Sequence, residues 1–271
     1  MATQDSTGIV IRDPAPGANQ LGVRDHNERL VLSMIQRHGS LASADIARRA
    51  RLSPQTVSVI IRELEKDGLL VRGEPLRGKV GKPLTPMALR AEGGLSIGCK
   101  IGRRSFDMVL MDMHGKLRRH VTRTYAYPTP EKVLGILREV LHEFESGLGR
   151  DERRRIAGIG VASPFELWNW LETVNATEAE MEAWRHIDLA TEIARLSDLR
   201  VHVSNDATAA CSAEHLFGRG REFADYAYFF VGYFVGGGVV LNDAVYPGRS
   251  GNAGAFGTLP VRDTSQPGHQ L

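Results

Sequence analysis

The sequence predicts an α/β protein in two parts, a small helical module finished by a β-wing and a larger mixed domain, on three observations. Apolar residues recur at helical spacing up to about residue 68 and switch to strand-like alternation after Ala91-Glu92-Gly93-Gly94. A chain of 271 residues approaches twice the usual domain length. Charge divides with the pattern: residues 22–92 hold thirteen Lys or Arg against eight Asp or Glu, while the whole chain carries only +2, which leaves the remainder mildly acidic. Such an asymmetry suits a nucleic-acid reader tethered to a sensing or catalytic domain; the alternative is a solvated imbalance without a partner.

Composition removes other classes. Apolar residues at 42% and charged residues at 24% exclude wholesale disorder. Cys99 and Cys211 allow one disulfide at most and no Cys₄ or Cys₂His₂ zinc site, so the expectation is a reduced, cytoplasmic protein without a metal. The most apolar stretch, residues 226–241, is interrupted by Gly232 and by Gly236, Gly237 and Gly238, which predicts strand, turn, strand rather than a membrane span. Residues 1–21 lack the pattern of a secretory signal and read as a flexible tail.

The small module occupies residues 22–92. Leu30, Val31, Met34 and Ile35 mark a first helix over 26–37, stopped at His38-Gly39. Ser43 is placed to cap a brief second helix with Asp45 in its first turn and Ile46, Ala47 and Ala50 on one face. Ser53-Pro54 starts the third, a capping hydroxyl followed by proline at the first helical position, with Val57, Ile60, Ile61 and Leu64 as its apolar stripe and Asp67-Gly68 as its end. The short break between the second and third helices matches a helix-turn-helix, and strands over 69–72 and 83–89 make the wing.

This arrangement predicts a partner, double-stranded DNA. The third helix carries Ser53, Gln55, Thr56, Ser58, Val59 and Arg62 away from its apolar stripe; Gln and Arg pair with base edges in a major groove and small hydroxyls reach bases or phosphates. Arg62 has a competing use as a salt-bridge partner of Glu65 on its own helix. Between the wing strands, Arg77, Lys79 and Lys82 alternate with glycines, so cations meet phosphates or enter a minor groove. A winged helix that contacts protein instead is the alternative.

Residues 93–271 form the second domain. Strands over 95–102, 105–112 and 117–125 are followed by a helix from Thr129-Pro130 to Glu145 with Val133, Leu137, Val140, Leu141 and Phe144 along one stripe. A strand over 156–162, a helix over 189–196, a strand over 201–203 and a helix opened by Ser204-Asn205-Asp206-Ala207 follow. The order βββαβαβα and a further strand pair indicate an α/β domain rather than a sandwich.

The stretches NERLVLSMIQRHG, SPQTVSVIIRELEKDGLL, IAGIGVASP, VSNDATAACSAE and GYFVGGGVVLNDAVYPGRSGNAGAFG together resemble the ROK family of repressors and sugar kinases, from about Leu21 onward. The resemblance implies a winged helix-turn-helix followed by an actin- and hexokinase-like, ribonuclease H-like ATPase fold. It also implies that the second lobe is incomplete at Leu271, that apolar sheet surface is exposed, and that the full-length protein is a homo-oligomer. By the same resemblance Asp206 stands where family kinases hold the general base and Asn205 where they hold a sugar hydrogen-bonder; Asp206 is equally placed to cap its helix. Gly236, Gly237 and Gly238 stand as a phosphate-binding loop, with a plain strand-to-strand turn as the alternative.

Departures from the kinase pattern set the functional expectation. Where the family reads Asp-x-Gly-Gly-Thr the chain has Lys100-Ile101-Gly102-Arg103-Arg104, which loses the metal-side carboxylate and the phosphate-contacting threonine. Where it reads Glu-x-Gly-His the chain has Ala255-Phe256-Gly257-Thr258, which loses the sugar-gripping glutamate and the histidine shared with zinc. Lys100, Arg103 and Arg104 are either an anion site or solvated surface. The resemblance therefore implies a DNA-binding regulator, a repressor of sugar uptake or catabolism genes that responds to a carbohydrate, with no catalytic residues, cofactor, metal or membrane partner; fructose or a similar monosaccharide is the nearest effector by wording. The alternative is an ATP-dependent sugar kinase with a DNA-binding arm.

Overall fold

The structure is a computed structural model that describes residues 20–75, 84–165, 167–170 and 178–259. It divides into two compact units after Ala88. Among the described residues no helix is long and apolar enough to cross a membrane.

In the first unit, α1 (Gln20–His38) starts six residues before the expected helix, so Gln20 and Leu21 belong to it rather than to a tail. Val31 and Ile35 are buried, and Gly39, at φ +81°, ends the helix in the left-handed region. A strand that periodicity alone misses comes next, β1 (Ser40–Ala42), three residues long. α2 (Ser43–Ala50) has Ala42 as its N-cap with no side-chain bond, which corrects the expected Ser43 cap: Ser43 is already helical. Ile46 and Ala47 face inward, and Arg51 closes the helix at φ 55°.

α3 (Pro54–Lys66) forms as its sequence dictates. Ser53 Oγ accepts the Thr56 N–H at 3.0 Å and satisfies one of the orphan donors of the first turn. Val57, Ile60, Ile61 and Leu64 are buried, and Gly68 in the left-handed region donates to the Glu65 carbonyl at 3.0 Å. The wing strands are β2 (Leu70–Arg72) and β3 (Pro86–Leu89), in a sheet ordered β1-β3-β2. β1 pairs antiparallel with β3, Leu41 opposite Met87, and both of these side chains are buried.

The second unit is built on β4 (Leu95–Ile101), β5 (Ser105–Asp112), β6 (Leu117–Thr124), β7 (Ile156–Ser163) and β8 (Val201–Asn205), ordered β6-β5-β4-β7-β8. The first three meander antiparallel, and β7 and β8 run parallel to β4. Alternation along β4 and β5 sends Ile97, Cys99, Ile101, Phe106, Met108 and Leu110 to one face. There they share a core with the stripe of α4 (Pro130–Ser146): Val133, Leu137, Val140, Leu141 and Phe144. Full burial of each such side chain contributes about 1.5–3 kcal/mol. Burial pushes the Cys99 thiol up to about 12, so it packs as a small hydrophobe; Cys99 and Cys211 are both free.

Among the described residues, short helices that periodicity did not reveal, α5 (Arg150–Arg154), the 3₁₀ turn Leu167–Trp170, α6 (Glu178–Glu182) and the 3₁₀ turn Ala183–His186, precede α7 (Leu189–Ala194). α8 (Asp206–Phe217) leaves β8 directly and touches a second sheet ordered β11-β10-β9, made of β9 (Tyr226–Val231), β10 (Val235–Leu241) and β11 (Ala244–Tyr246). Residues 226–241 are thus strand, turn, strand, with the turn at Gly232, Tyr233 and Phe234. Gly236, Gly237 and Gly238 are neither that turn nor a loop: they pair within β10 opposite Phe230, Phe229 and Tyr228. A Cβ on Gly236 would stand 3.3 Å from that of Ala207, one on Gly238 would sit 2.6 Å from Cys211 Sγ, and one on Gly237 would meet the Phe256 ring at 2.6 Å. The glycines let α8 and the Phe256 segment lie against the strand. Phe229, Val231, Tyr233, Phe234 and Val235 are exposed, so this hairpin presents apolar sheet surface.

Candidate functional site

Two surfaces collect the residues singled out by the sequence. On the first unit, the stripe that anchors α3 leaves Gln55, Ser58, Val59 and Arg62 exposed on the opposite side, at the i, i+3, i+4, i+7 spacing of one helical face. Thr56 is half-buried, and its hydroxyl lies 2.8 Å from that of Ser53, so the two share a hydrogen bond at the helix start. Arg62 is not drawn to Glu65. That carboxylate receives Arg72 instead, Nε to Oε1 at 2.7 Å and Nη2 to Oε2 at 2.8 Å, a forked pair that joins α3 to β2 and holds Glu65 below the usual carboxylate range. Arg62 is thereby left exposed, with no ion pair to a described residue. A hollow of about 430 Å³ beside it is lined by Ser43, Ser58, Arg62, Glu65 and Arg72. Arg77, Lys79 and Lys82 lie outside the described residues. The Glu65–Arg72 clamp escaped the sequence reading, because a helix and a strand seven residues apart meet only once both are placed.

On the second unit a cleft of about 800 Å³ opens at the carboxyl ends of the parallel strands, where open α/β sheets bind ligands. Lys100 reaches it from β4, Pro164 and Phe165 from beyond β7, and Asn205, Asp206 and Ala207 from the β8–α8 junction; the Phe230–Gly236 hairpin and the segment Asn252–Leu259 line it as well. The cleft therefore gathers Asp206, Lys100, Ala255 and Thr258, positions far apart in sequence that the resemblance had singled out one by one. Lys100 and Asp206 are the charged side chains among its described lining, and they form no ion pair. Phe165, Phe230, Tyr233, Phe234 and Phe256 supply aromatic surface to its walls.

Asn205, not Asp206, caps α8. Its Oδ1 accepts the Ala207 and Thr208 N–H groups at 3.0 and 3.3 Å, so its side-chain oxygen is committed to the backbone and its amide remains to donate. Asp206 Oδ1 accepts Ala207 N–H at 2.9 Å, and no hydrogen bond is made to Oδ2 by a described residue. Gly236 lines the cleft, whereas Gly237 and Gly238 do not, which matches their role in strand packing.

The turn between β4 and β5 separates its three cations. Gly102 N–H bonds the Ser105 carbonyl at 2.8 Å, and Tyr125 Oη stands 2.7 and 2.8 Å from the carbonyls of Gly102 and Ser105, bracing the turn from β6's far end. Arg103 lies over the Tyr233 ring at 4.2 Å, a cation–π contact from the turn to the tip of the β9–β10 hairpin. Arg104 Nη1 donates to the Ala126 carbonyl at 3.4 Å. Only Lys100 of the three lines the cleft. Among the described residues no group of three or more His, Cys, Asp or Glu is placed to hold a metal ion.

Comparison with known proteins agrees with the fold and with the resemblance. A winged helix-turn-helix DNA-binding pattern matches residues 24–71 and the ROK family pattern residues 96–269. The xylose repressor of Bacillus subtilis strain 168 is 24% identical over 244 residues, which cover 90% of this chain and 62% of that protein. The DNA-binding transcriptional dual regulator NagC of Escherichia coli K12 is 24% identical over 262 residues, 93% of this chain and 63% of that protein. The chain thus spans about three fifths of the length of these curated relatives, and the sugar in the first one's name is xylose rather than fructose. A crystal structure of a ROK family transcriptional regulator, a homologue of the E. coli MLC protein, superimposes with a TM-score of 0.66 at 21% identity, over 89% of this chain and 61% of that one. The two units are a winged helix-turn-helix and an actin- and hexokinase-like domain, and the chain belongs to the ROK family.

Proposed function

We propose that the protein is a transcriptional regulator, a repressor of sugar uptake or catabolism genes, which reads an operator through α3 and the wing and senses a carbohydrate in the cleft. The observation that carries this reading is the exposed polar face of α3, whose one long cation is not spent on its own helix. Gln55 and Arg62 meet base edges; Ser53, Thr56 and Ser58 reach bases or phosphates at the helix start; Arg77, Lys79 and Lys82 neutralise phosphates from the wing. Asp206 and the Asn205 amide hold the effector's hydroxyls. The protein acts in the cytoplasm as a homo-oligomer, so that two DNA-reading modules meet paired half-sites, and the effector favours one spacing of them over another. Relatives named as repressors support this reading.

The competing reading is an ATP-dependent sugar kinase with a DNA-binding arm. Asp206 favours it as a general base. Lys100 in place of the metal-side carboxylate, and Ala255 and Thr258 in place of sugar and zinc ligands, oppose it, and all three line the cleft. Fluorescence anisotropy on promoter DNA of the neighbouring genes, titrated with a sugar panel, tests the proposal. Salt-dependent, sequence-selective binding that a sugar alters is expected, with Asp206→Asn keeping DNA affinity and losing the sugar response. Turnover of ATP coupled to glucose, fructose, mannose or N-acetylglucosamine would replace it by the kinase reading.

A further inference from the structure

We propose that Lys100 selects an anionic ligand for the cleft, a carbohydrate bearing a phosphate or carboxylate group that seats on the lysine ammonium while its hydroxyls meet Asp206. This rests on the reading of the cleft as a carbohydrate site and adds the chemical class of what it takes.

Strand register makes Lys100 unusual. It lies directly opposite Asp107 in the β4–β5 ladder, where a Lys–Asp pair is the ordinary outcome of cross-strand packing. That pair is not made. Asp107 Oδ1 accepts from the Thr122 hydroxyl at 2.6 Å and lies 3.2 Å from His120 Nε2, while Oδ2 accepts from the Ser105 hydroxyl at 3.2 Å. Burial alone would raise the Asp107 carboxyl, but these bonds outweigh it and hold it below its usual range, so the carboxylate is committed toward β6. Lys100 is exposed and lines the cleft, and a Cβ at Gly102 would stand 3.8 Å from its Nζ, so the ammonium lies beside the turn where a side chain is absent.

The nearby charges are otherwise engaged. Arg103 is stacked on Tyr233 and Arg104 is turned to the Ala126 carbonyl. Asp206, the one carboxylate among the described lining, forms no ion pair with Lys100. The cleft thus has two poles that form no ion pair with one another, a carboxylate that accepts hydroxyl protons and an ammonium with no ion pair to a described residue, between aromatic walls. A concave site with an uncompensated cation draws anions, and charge-assisted hydrogen bonds to it exceed neutral ones. Because the lysine supplies the positive charge itself, anion binding here needs no divalent ion.

The test is calorimetric titration of the full chain, in EDTA, with matched probes: glucose and glucose 6-phosphate, mannose and mannose 6-phosphate, N-acetylglucosamine and its 6-phosphate, and glucuronate. At least one anionic probe binds tenfold or more tightly than its neutral parent. Lys100→Met removes the preference by weakening the anionic probe more than its neutral parent, Lys100→Arg restores it, and all three proteins melt at the same temperature. The ranking of glucose 6-phosphate against glucuronate distinguishes phosphate from carboxylate. A neutral parent that binds as tightly as its anionic partner, or a preference that survives in Lys100→Met, overturns the proposal and leaves the carbohydrate reading standing. If no sugar of either kind binds, the carbohydrate reading fails and this proposal falls with it.

Discussion

α3 and α8 both start at a side-chain cap, Ser53 in one and Asn205 in the other, yet they use their surfaces in opposite ways. α3 buries a single stripe and leaves Gln55, Ser58, Val59 and Arg62 free on the other side. α8 touches β7, β8, β9 and β10, and Gly236 and Gly238 are close enough to Ala207 and Cys211 that a side chain on either strand position would press on the helix. The difference teaches where each helix has room for function. Substitutions on the open face of α3 change what it binds at little cost in stability, whereas α8 is a strut whose first turn alone reaches the cleft.

The strongest way to break that contrast is Gly238→Val. Its Cβ would enter the space of Cys211, in a strand and helix both fixed by their neighbours, and overpacking of this kind costs about 1–3 kcal/mol or more. Urea unfolding followed by tryptophan fluorescence reports it, since Trp168, Trp170 and Trp184 all belong to the larger unit. Val59→Ala on α3, followed by circular dichroism because the first unit has no tryptophan, should change the stability of that unit by less than about 0.5 kcal/mol. Equal losses for the two would mean that α8 is less confined than the glycine contacts indicate.

Next in size come the binding changes. Arg62→Ala and Gln55→Ala are expected to weaken operator binding by about 1–3 kcal/mol each and to relax sequence preference, with melting unchanged. Lys79→Ala and Lys82→Ala are expected instead to weaken binding to every duplex and to flatten its dependence on salt. Anisotropy titrations at several salt concentrations separate the two behaviours. Arg62→Ala with full affinity would remove the open face of α3 from DNA reading.

The same contrast explains what could be read from residues alone. The stripe, cap and stop of α3 are written within sixteen consecutive residues, as are the five apolar positions of α4, and both helices appear where the spacing predicts them. β1 was missed because three residues carry no period and its partner lies over forty residues on. The cap of α8 went to Asn205 because β8 runs without interruption into the helix, which makes the last strand residue the first one free of helical geometry. Gly236, Gly237 and Gly238 looked like a loop because glycine punctuates turns more often than it thins strands; the reason for them lies across space, in Ala207, Phe256 and Cys211. The cleft follows the same rule. Its residues were legible singly through a family pattern, but that Lys100 faces it while Arg103 and Arg104 are engaged elsewhere depends on how the β4–β5 turn is braced by Tyr125.

Smaller still is the effect of the cap that positions the reading helix. Ser53→Ala removes the acceptor of the Thr56 N–H and the hydroxyl partner of Thr56, for a loss of about 1 kcal/mol in the first unit, while Ser53→Asn should keep most of the stability. Circular dichroism during thermal unfolding of the two variants measures this. An alanine variant as stable as the parent would show that Pro54 alone fixes the start of α3.

The smallest expected effect has the most specific signature. Glu65 and Arg72 clamp α3 to β2 through a forked pair in which Arg72 is exposed and Glu65 half-buried, and the hydrogen bond from Arg72 holds the Glu65 carboxyl below its usual range. A carboxylate whose folded value is lowered contributes stability that is fully present above its unfolded value, about 4.3, and is lost as pH falls through the folded value. Arg72→Met should therefore melt slightly below the parent at neutral pH, and the gap should close as pH falls through the acid range. High salt should narrow it as well, because a partly exposed pair is screened. A gap that persists in acid would assign the contribution of Arg72 to the packing of its aliphatic stem rather than to its charge.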